Sequence, residues 1–231
     1  MRLDKFLVNL KYGSRTEIKD LCKKGLISVN DVVCKKSDSN INPIIDVVKV
    51  SGIEVFYKEN ITLIMNKPQG YICSHVDELY PSLLNLLDEK YRRFDFSFAG
   101  RLDADTLGLV ILSTDGKLIH EISAPSKNIS KTYYVKTIKE LEDEKRLEEP
   151  LELLDGQNNP YITSGAKVER ISSNELYLTI NEGKFHQVKR MLEAIGNKVI
   201  YLQRVRIGNV ILPSDLNIGE YREIDPKEIF D

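Results

Sequence analysis

The chain of 231 residues lacks long apolar runs. None of its apolar stretches approaches the roughly 18 to 20 residues that a membrane-spanning helix needs. The N-terminal segment, MRLDKFLVNLKYGSR, carries charges along its length and lacks the apolar centre of a secretory signal. We therefore expect a cytoplasmic protein that does not enter a membrane.

Cysteine and histidine are scarce as well. The three cysteines form an odd number, lie far apart and contain no C-x-x-C pair, which argues against a disulfide framework or a zinc site and fits a reducing cytoplasm. The three histidines are too scattered for an obvious metal cluster. These residues are Cys22, Cys34 and Cys73, and His75, His120 and His186. No metal site is expected.

Charge is distributed unevenly. Hydrophobic residues make up 42% and charged residues 29% of the chain, which is ordinary for a globular protein of one or two domains. The net charge is −2, but residues 1–52 hold ten Lys and Arg against six Asp and Glu, a balance of +4, and the rest of the chain carries −6. A basic head on an acidic body indicates that the head meets a polyanion.

The head is predicted to begin with two helices. Apolar residues at helical spacing open it, and Ser14 with Glu17 forms a capping box that starts a second helix. Gly25 is a natural end for this helix. The apolar residues of the first helix are Leu3, Phe6, Leu7 and Leu10. Short strands then follow at Leu26–Val29, Val32–Cys34 and Val47–Val50, the first two joined by a hairpin turn at Asn30 and Asp31.

The second helix presents a basic face. Arg15, Lys19 and Lys23 recur every four residues and lie on one side, whereas Ile18 and Cys22 lie on another, toward the core. Cations on a rigid face suit the phosphates of a nucleic acid. A helix face that is basic only because it is solvated explains the same residues.

The body is predicted to be a mixed sheet with few helices. The segment Ser51–Tyr57 is the expected boundary, and Glu140–Asp155 is expected to be an exposed helix or loop. Helices are predicted around Ser82–Tyr91 and around His186–Ile195, and the second is expected to end at Gly196. The expected strands are Thr62–Met65, Leu107–Ser113, Thr132–Ile138, Lys167–Ile171, Leu176–Ile180 and Val205–Leu212. This order favours an α+β fold on an antiparallel or mixed sheet.

One segment has the pattern of a catalytic carboxylate. Glycines flank R-L-D-x-D at 101–105, which leads directly into an apolar strand. With Arg101 nearby, the Asp103 carboxylate would stay ionised, as a base or nucleophile must. The alternative is a turn in which Asp103 and Asp105 only cap backbone N–H groups.

Two further segments contain residues that could take part in catalysis, although neither segment indicates this by itself. Lys189 follows His186 by three residues on a predicted helix whose apolar side faces inward, so its ammonium could pair with a carboxylate. Tyr133, on a predicted strand, could stack on an extruded base. Taken singly, a solvated helix face for the basic pair and a place in the core or on the sheet surface for the tyrosine are the default interpretations.

The head resembles a known RNA-binding module. Its residues follow the order R-L-D-K-F-L, then S-R-x-x-I, then G-x-I-x-V-N. This order is similar to the alpha-L RNA-binding domain named after a small-subunit ribosomal protein, over residues 1 to about 50. The resemblance implies that the head binds RNA.

Five motifs in order extend the resemblance. They are N-K-P-Q-G at 66–70, G-R-L-D-A-D-T-L-G-L at 100–109, K-T-Y at 131–133, G-K-F-H-Q-V-K-R-M at 183–191 and R-V-R-I-G-N-V-I-L at 204–212. Together they resemble the pseudouridine synthases of the RsuA type, to about residue 224. The implied fold is α+β, with a small α/β RNA-binding domain at 1–52 and a larger mixed or antiparallel-sheet catalytic domain at 58–231.

The resemblance also implies roles for individual residues. Asp103 matches the catalytic aspartate, Tyr133 the tyrosine expected to stack on the target uracil, and Lys189 the cation expected to pair with the aspartate. Residues expected to bind RNA or the flipped base are Arg101, Arg15, Lys19, Lys23, Lys67, His186 and Gln187. The reaction turns uridine into pseudouridine without a change in redox state, so no cofactor is expected.

The form of the fourth motif bears on the substrate. H-Q-V-K-R-M resembles enzymes that act on small-subunit (16S) rRNA, whereas relatives that modify large-subunit rRNA tend to show R-Q-V-R-R-M-F. We expect a monomer that acts on ribosomal RNA or a partly assembled ribosomal subunit. Large-subunit rRNA is the alternative target, and a non-catalytic RNA-binding assembly factor is the alternative class of protein.

Overall fold

The computed structural model describes residues 1–230; Asp231, the last residue of the expected domain 58–231, lies outside the described residues. The chain divides into two compact units. The N-terminal unit comprises Met1–Ile61 and Asp88–Asp95, and the large unit comprises Thr62–Leu87 and the residues from Phe96 onward. The boundaries 1–52 and 58–231 stay a prediction. Within residues 1–230, no helix combines the length and apolarity needed to cross a bilayer.

The N-terminal unit opens with the two predicted helices, α1 at Leu3–Asn9 and α2 at Arg15–Lys24. The capping box is present: the Ser14 side chain accepts from the Glu17 backbone N–H, and the Glu17 carboxylate accepts from the Ser14 N–H at 2.7 Å. Gly25 ends α2 in the left-handed conformation with φ 75°. The local signals thus determine both ends of α2.

A small antiparallel sheet completes this unit, in the order β2-β1-β3-β4. Its strands are β1 Ile27–Val29, β2 Val32–Val33, β3 Val48–Val50 and β4 Ile53–Glu54. Asn30 and Asp31 both have positive φ, as a tight two-residue hairpin turn requires. Ser51 and Gly52 also have positive φ and make a second such turn. For this reason Ser51–Tyr57, expected to be only a boundary, contains β4 paired with β3.

The helical pattern predicted around Ser82–Tyr91 forms as two short pieces and not as one helix. The chain forms a 3₁₀ turn at Leu83–Leu86 and a separate short helix, α3, at Glu89–Arg92, because Leu87 between them is extended. Tyr91 and the nearby Phe94 pack edge-on against Phe56, with ring centroids 5.6 and 5.9 Å away. These contacts explain why Asp88–Asp95 belongs to the N-terminal unit.

The large unit is built on a mixed sheet, which confirms the α+β expectation. Its strands are β5 Thr62–Lys67, β6 Ser97–Ala99, β7 Leu107–Ser113, β8 Lys131–Thr137, β9 Glu152–Leu154, β10 Pro160–Ile162, β11 Lys167–Arg170, β12 Glu175–Ile180, β13 Val199–Ile207, β14 Val210–Ile211 and β15 Tyr221–Glu223. The sheet runs β11-β12-β8-β13-β7-β5-β15, with β14 on β13, β6 on β7, and β9-β10 as a separate hairpin. Only the β13–β7 pair among the described strands is parallel.

Two helices cover this sheet, α4 at Gly116–Ser123 and α5 at Gln187–Ala194. The sequence patterns missed α4, which Asp115 caps by accepting from the Lys117 and Leu118 N–H groups. The helix α5 was predicted, together with Gly196 just beyond its end. Its inward residues Val188, Met191 and Leu192 are all buried. The remaining 3₁₀ turns are Pro125–Lys127, Glu144–Glu148 and Pro226–Ile229.

Two other expectations for the body need correction. The single strand expected at Val205–Leu212 is a hairpin of β13 and β14, because Gly208 turns the chain with φ 55°. The acid-rich segment Glu140–Asp155 is not simply exposed. Its four buried leucines, Leu141, Leu147, Leu151 and Leu153, anchor a 3₁₀ turn and β9. Composition alone hid these apolar positions among the acidic residues.

The parallel pairing of β7 with β13 depends on the absence of a side chain at Gly108. Gly108 has φ 103° and pairs with Arg204, and a Cβ there would lie 2.2 Å from the Arg204 carbonyl oxygen. The backbones of β7 and β13 therefore approach more closely at Gly108 than a residue with a Cβ would permit.

Replacing Gly108 by Ala is expected to lower the free energy of unfolding by roughly 3 kcal/mol or more, because the methyl group forces the strands apart. Urea unfolding followed by circular dichroism measures the change. Gly116→Ala is the matched control: no atom lies within 4 Å of the added methyl, so stability should stay equal or rise slightly. Equal stability of the two variants would contradict the proposed close approach.

Candidate active site

The centre of the site is the loop between β6 and β7, residues 100–106, here called the Asp103 loop. Lys67, at the end of β5, reaches into it. Its Nζ donates to the main-chain carbonyls of Pro68 at 3.0 Å, Asp103 at 2.9 Å and Thr106 at 2.8 Å. Lys67 is 0% exposed. The ammonium faces the loop backbone and holds the loop in place, whereas its expected role in binding RNA stays a prediction.

Further contacts order the same loop. The Gly70 N–H donates to the Ala104 carbonyl at 2.8 Å, and Gln69 Nε2 donates to the Asp105 carbonyl at 3.0 Å. These residues belong to the 66–70 motif, so that motif acts as the support of the Asp103 loop.

Arg204 supports the loop from β13. It is 1% exposed, and its Nε donates to the Leu109 carbonyl at 2.7 Å and its Nη2 to the Gly100 carbonyl at 2.5 Å. Sequence reasoning missed this residue, although it opens the 204–212 motif. A buried arginine that bonds two backbone carbonyls is a structural element of the site.

The Asp103 carboxylate is paired with residues of the 183–191 motif. Its Oδ2 lies 3.0 Å from Lys189 Nζ and 3.3 Å from His186 Nε2. Lys189 Nζ also contacts the two carboxylate oxygens of Asp105 at 2.7 and 3.0 Å. Arg101, expected to hold Asp103 ionised, forms no ion pair with it in the described part of the chain. The lysine on α5 has that position instead.

The charges of this cluster stabilise one another. Burial alone would lower the pKa of Lys189, but the hydrogen bonds and charges of Asp105 and Asp103 outweigh it and raise that pKa. Burial would likewise raise the pKa of Asp105, but the bond and charge of Lys189 outweigh it and lower that pKa. An adjacent ammonium favours the charged carboxylate, so Lys189 and Asp105 form an ion pair at neutral pH.

The turn before α5 aims His186 at the carboxylate. His186 precedes α5 and has the left-handed conformation with φ 53°, which is uncommon for a residue with a Cβ. The Gln187 side chain holds the turn: it donates to Glu182 at 2.5 Å and accepts from the Lys184 N–H at 3.0 Å. Gln187 is 3% exposed and its contacts are within the protein; its expected contact with RNA stays a prediction.

Tyr133 lies on β8, two strands from the Asp103 loop. It pairs with Arg204 on β13, which in turn pairs with Gly108 on β7. The Arg204 guanidinium lies 6.0 Å from the centre of the Tyr133 ring, and Tyr133 is 7% exposed. Lys131, two residues before it on β8, is also buried, which lowers its pKa to about 8. Arg204 is thus the residue that links Tyr133 to the loop.

The N-terminal unit has a separate basic cleft of about 410 Å³. It brings together the three predicted residues Arg15, Lys19 and Lys23 on one wall, as their spacing indicated. The sequence patterns did not identify the opposite wall. The full lining is Arg2, Asp4, Arg15, Thr16, Lys19, Lys23, Lys35, Lys36, Ser37 and Asp38.

Burial lowers the pKa of Lys67 to about 8, against 10.5 for the free side chain, and this yields a pH test. Between these values the unfolded chain binds the proton that the folded protein gives up, so the Lys67 contribution to stability rises with pH. Lys67→Met should be destabilised at pH 7 by roughly 2 kcal/mol through unpaired carbonyls. Its deficit against the unsubstituted protein should grow by up to about 3 kcal/mol toward pH 10.5.

Urea unfolding at pH 7, 8, 9 and 10 measures this difference. Lys117→Met, at an exposed position of α4, is the control and should show a small difference that does not change with pH. A deficit of Lys67→Met that shrinks as the pH rises would contradict the assigned state of Lys67.

Comparison with known proteins agrees with this geometry. The RNA pseudouridylate synthase family model matches residues 61–194, and the S4 domain model matches residues 1–43. The chain is 41% identical to the uncharacterized RNA pseudouridine synthase YtzG of Bacillus subtilis, covering 99% of this chain and 97% of that protein. It is 39% identical to the ribosomal small subunit pseudouridine synthase A of Vibrio cholerae, covering 99% and 98%.

A solved structure extends the comparison to the fold. A crystal structure of a pseudouridylate synthase superposes with a TM-score of 0.67 at 34% identity, covering 99% of this chain and 98% of that one. The family model spans more than half of the chain, and the relatives match it from end to end. The chain therefore belongs to the RNA pseudouridylate synthase family and has an N-terminal S4 domain.

Proposed function

We propose that this chain converts a uridine of small-subunit ribosomal RNA into pseudouridine, with Asp103 as the catalytic carboxylate. The observation that carries the proposal is the position of that carboxylate. Lys189 and His186 hold it from one side, and the buried Lys67 fixes its backbone from the other. One oxygen of a fixed, charged carboxylate is thus bound, and the side chain is still one third exposed.

The reaction suits a single carboxylate. The N1–C1′ bond of uridine breaks, the uracil turns, and a C5–C1′ bond forms; C5 loses its proton and N1 gains one from solvent. Asp103 serves either by attacking C1′ to form a covalent intermediate or by removing the C2′ proton to give a glycal. No electron is gained or lost, so the chain's own residues suffice for the step.

The residues around Asp103 divide the remaining work. Lys189 holds Asp103 in position, and Tyr133 stacks on the uracil once the base has been turned out of its helix. Arg101, exposed at the start of the Asp103 loop, contacts RNA near the flipped base. Arg204 holds Tyr133 and the loop in register and does not contact RNA.

The S4 domain supplies affinity for the RNA backbone. Arg15, Lys19 and Lys23 line its cleft, and their charges neutralise neighbouring phosphates of the bound RNA. The substrate is inferred from the relatives, one of which is named for the ribosomal small subunit. The partner is 16S rRNA, free or in a partly assembled subunit, and the enzyme acts as a cytoplasmic monomer.

Asp103→Asn should fold and bind RNA normally but lose turnover by at least roughly 10³-fold. The reason is that the amide can neither attack C1′ nor remove the C2′ proton. Release of tritium from RNA labelled at uridine C5 measures turnover directly, since that hydrogen leaves when the new bond forms. Asp105→Asn is the matched control. It removes the other carboxylate bound to Lys189 and should cost less than about tenfold. Equal losses in both variants would assign only an electrostatic role to Asp103.

Replacing Arg15, Lys19 and Lys23 together by Gln should weaken binding to rRNA without changing turnover of bound substrate. The slope of log affinity against log salt should become shallower by about 2 to 3, one unit for each lost phosphate contact. Filter binding at several salt concentrations measures the slope. Lys5→Gln, exposed outside the cleft, should change it little. An unchanged slope in the triple variant would exclude the cleft as the phosphate site.

A further inference from the structure

A large aromatic side chain is exposed beside the proposed catalytic carboxylate. Phe185 precedes His186 in the turn before α5 and is 51% exposed. Its ring stacks on the His186 ring with centroids 3.7 Å apart and planes 20° apart. His186 itself lies 3.3 Å from Asp103. Two stacked rings thus extend outward from the carboxylate.

The position of the Phe185 ring is supported from within the unit. Gly156, in the β9–β10 turn, lies against it so closely that a Cβ there would be 3.2 Å from the ring. The Arg190 guanidinium lies 5.1 Å from the ring centroid, in the range of a cation–π contact. The left-handed backbone of His186 turns the two rings together. Phe185 is therefore held in place while half of its surface stays open.

The reaction creates a need for such a surface. Turning a uridine out of its helix leaves the bases on either side without a stacking neighbour. An aromatic ring with an open face can replace that neighbour, whatever the identity of the base, because every base has a π face. The open ring must lie near the carboxylate that receives the uridine, and Phe185 meets this condition.

We propose that Phe185, backed by His186, stacks on a base adjacent to the target uridine and so holds the RNA open during the reaction. This inference rests on the proposed function. It concerns a residue that binds the flanking nucleotide, whereas Asp103 performs the chemistry. The alternative is that Phe185 only packs against Gly156 and stabilises the turn.

A thermodynamic cycle between protein and RNA separates these alternatives. The protein is the full chain with Asp103→Asn, which keeps the substrate unreacted. In this background, position 185 keeps its Phe or carries Phe185→Tyr, Phe185→Leu or Phe185→Ala. The RNA is a fragment centred on the modified uridine, either intact or with an abasic site directly 5′ or 3′ of that uridine. Dissociation constants are measured for each combination.

With intact RNA, Phe185→Ala should weaken binding by about 5- to 100-fold, the usual range for the loss of one base stack. The Phe185→Tyr variant should bind within a few fold of the protein that keeps Phe185. The Phe185→Leu variant should not, because leucine has no π face. With one of the two abasic RNAs, the protein with Phe185 and the Phe185→Ala variant should bind equally, because the base that stacks on Phe185 is missing from that RNA. Tyr177→Ala, on the solvent-facing side of β12, should bind like the parent protein throughout.

Two results would overturn the inference: an equal loss with intact and both abasic RNAs, or full binding by the Leu variant. Either result would assign Phe185 to packing of the turn. A failure of the proposed function would appear elsewhere, as the absence of tritium release by the enzyme with Asp103 intact. The two failures are therefore distinguishable.

Discussion

The site depends on one ion pair, between Lys189 on α5 and Asp103 in the loop before β7. These residues are 86 positions apart in the chain and meet at 3.0 Å. Asp105 contacts the same ammonium and, together with Asp103, raises the pKa of Lys189. Because charged groups are costly to bury unless they are paired, the sheet, the loop and α5 must hold the two side chains in contact.

Two other cations show how the fold keeps them in place. Lys67 and Arg204 are both buried, and both donate to main-chain carbonyls in or next to the Asp103 loop. Lys67 donates to the carbonyls of Asp103 and Thr106. Arg204 donates to that of Gly100, at the start of the loop, and to that of Leu109 in β7. Buried cations are costly unless their hydrogen bonds are satisfied, and here each has at least two such bonds. Thus three basic residues converge on one loop, and of these three only Lys189 is directed at the Asp103 carboxylate.

The sequence predicted what is encoded locally. The capping box at Ser14 and the turn at Asn30 and Asp31 have short-range signals, and both formed as expected. The resemblance predicted the pairing of Lys189 with Asp103, which no local pattern contains. The burial of Lys67 and Arg204 was not predictable, because basic residues are usually exposed and only the tertiary fold decides which carbonyls need a donor. The helix α4 was missed although its cap, Asp115, is a readable signal.

The most direct test of the central claim is a carbodiimide primer-extension map of pseudouridine on transcripts of both ribosomal RNAs, with the enzyme and with its Asp103→Asn variant. We expect one new stop in the small-subunit rRNA, which appears only with the enzyme that carries the Asp103 carboxylate. A stop only in the large-subunit rRNA would contradict the proposed substrate. No stop in either RNA, free or in ribosomal particles, would contradict the proposed activity and favour a protein that binds RNA without modifying it.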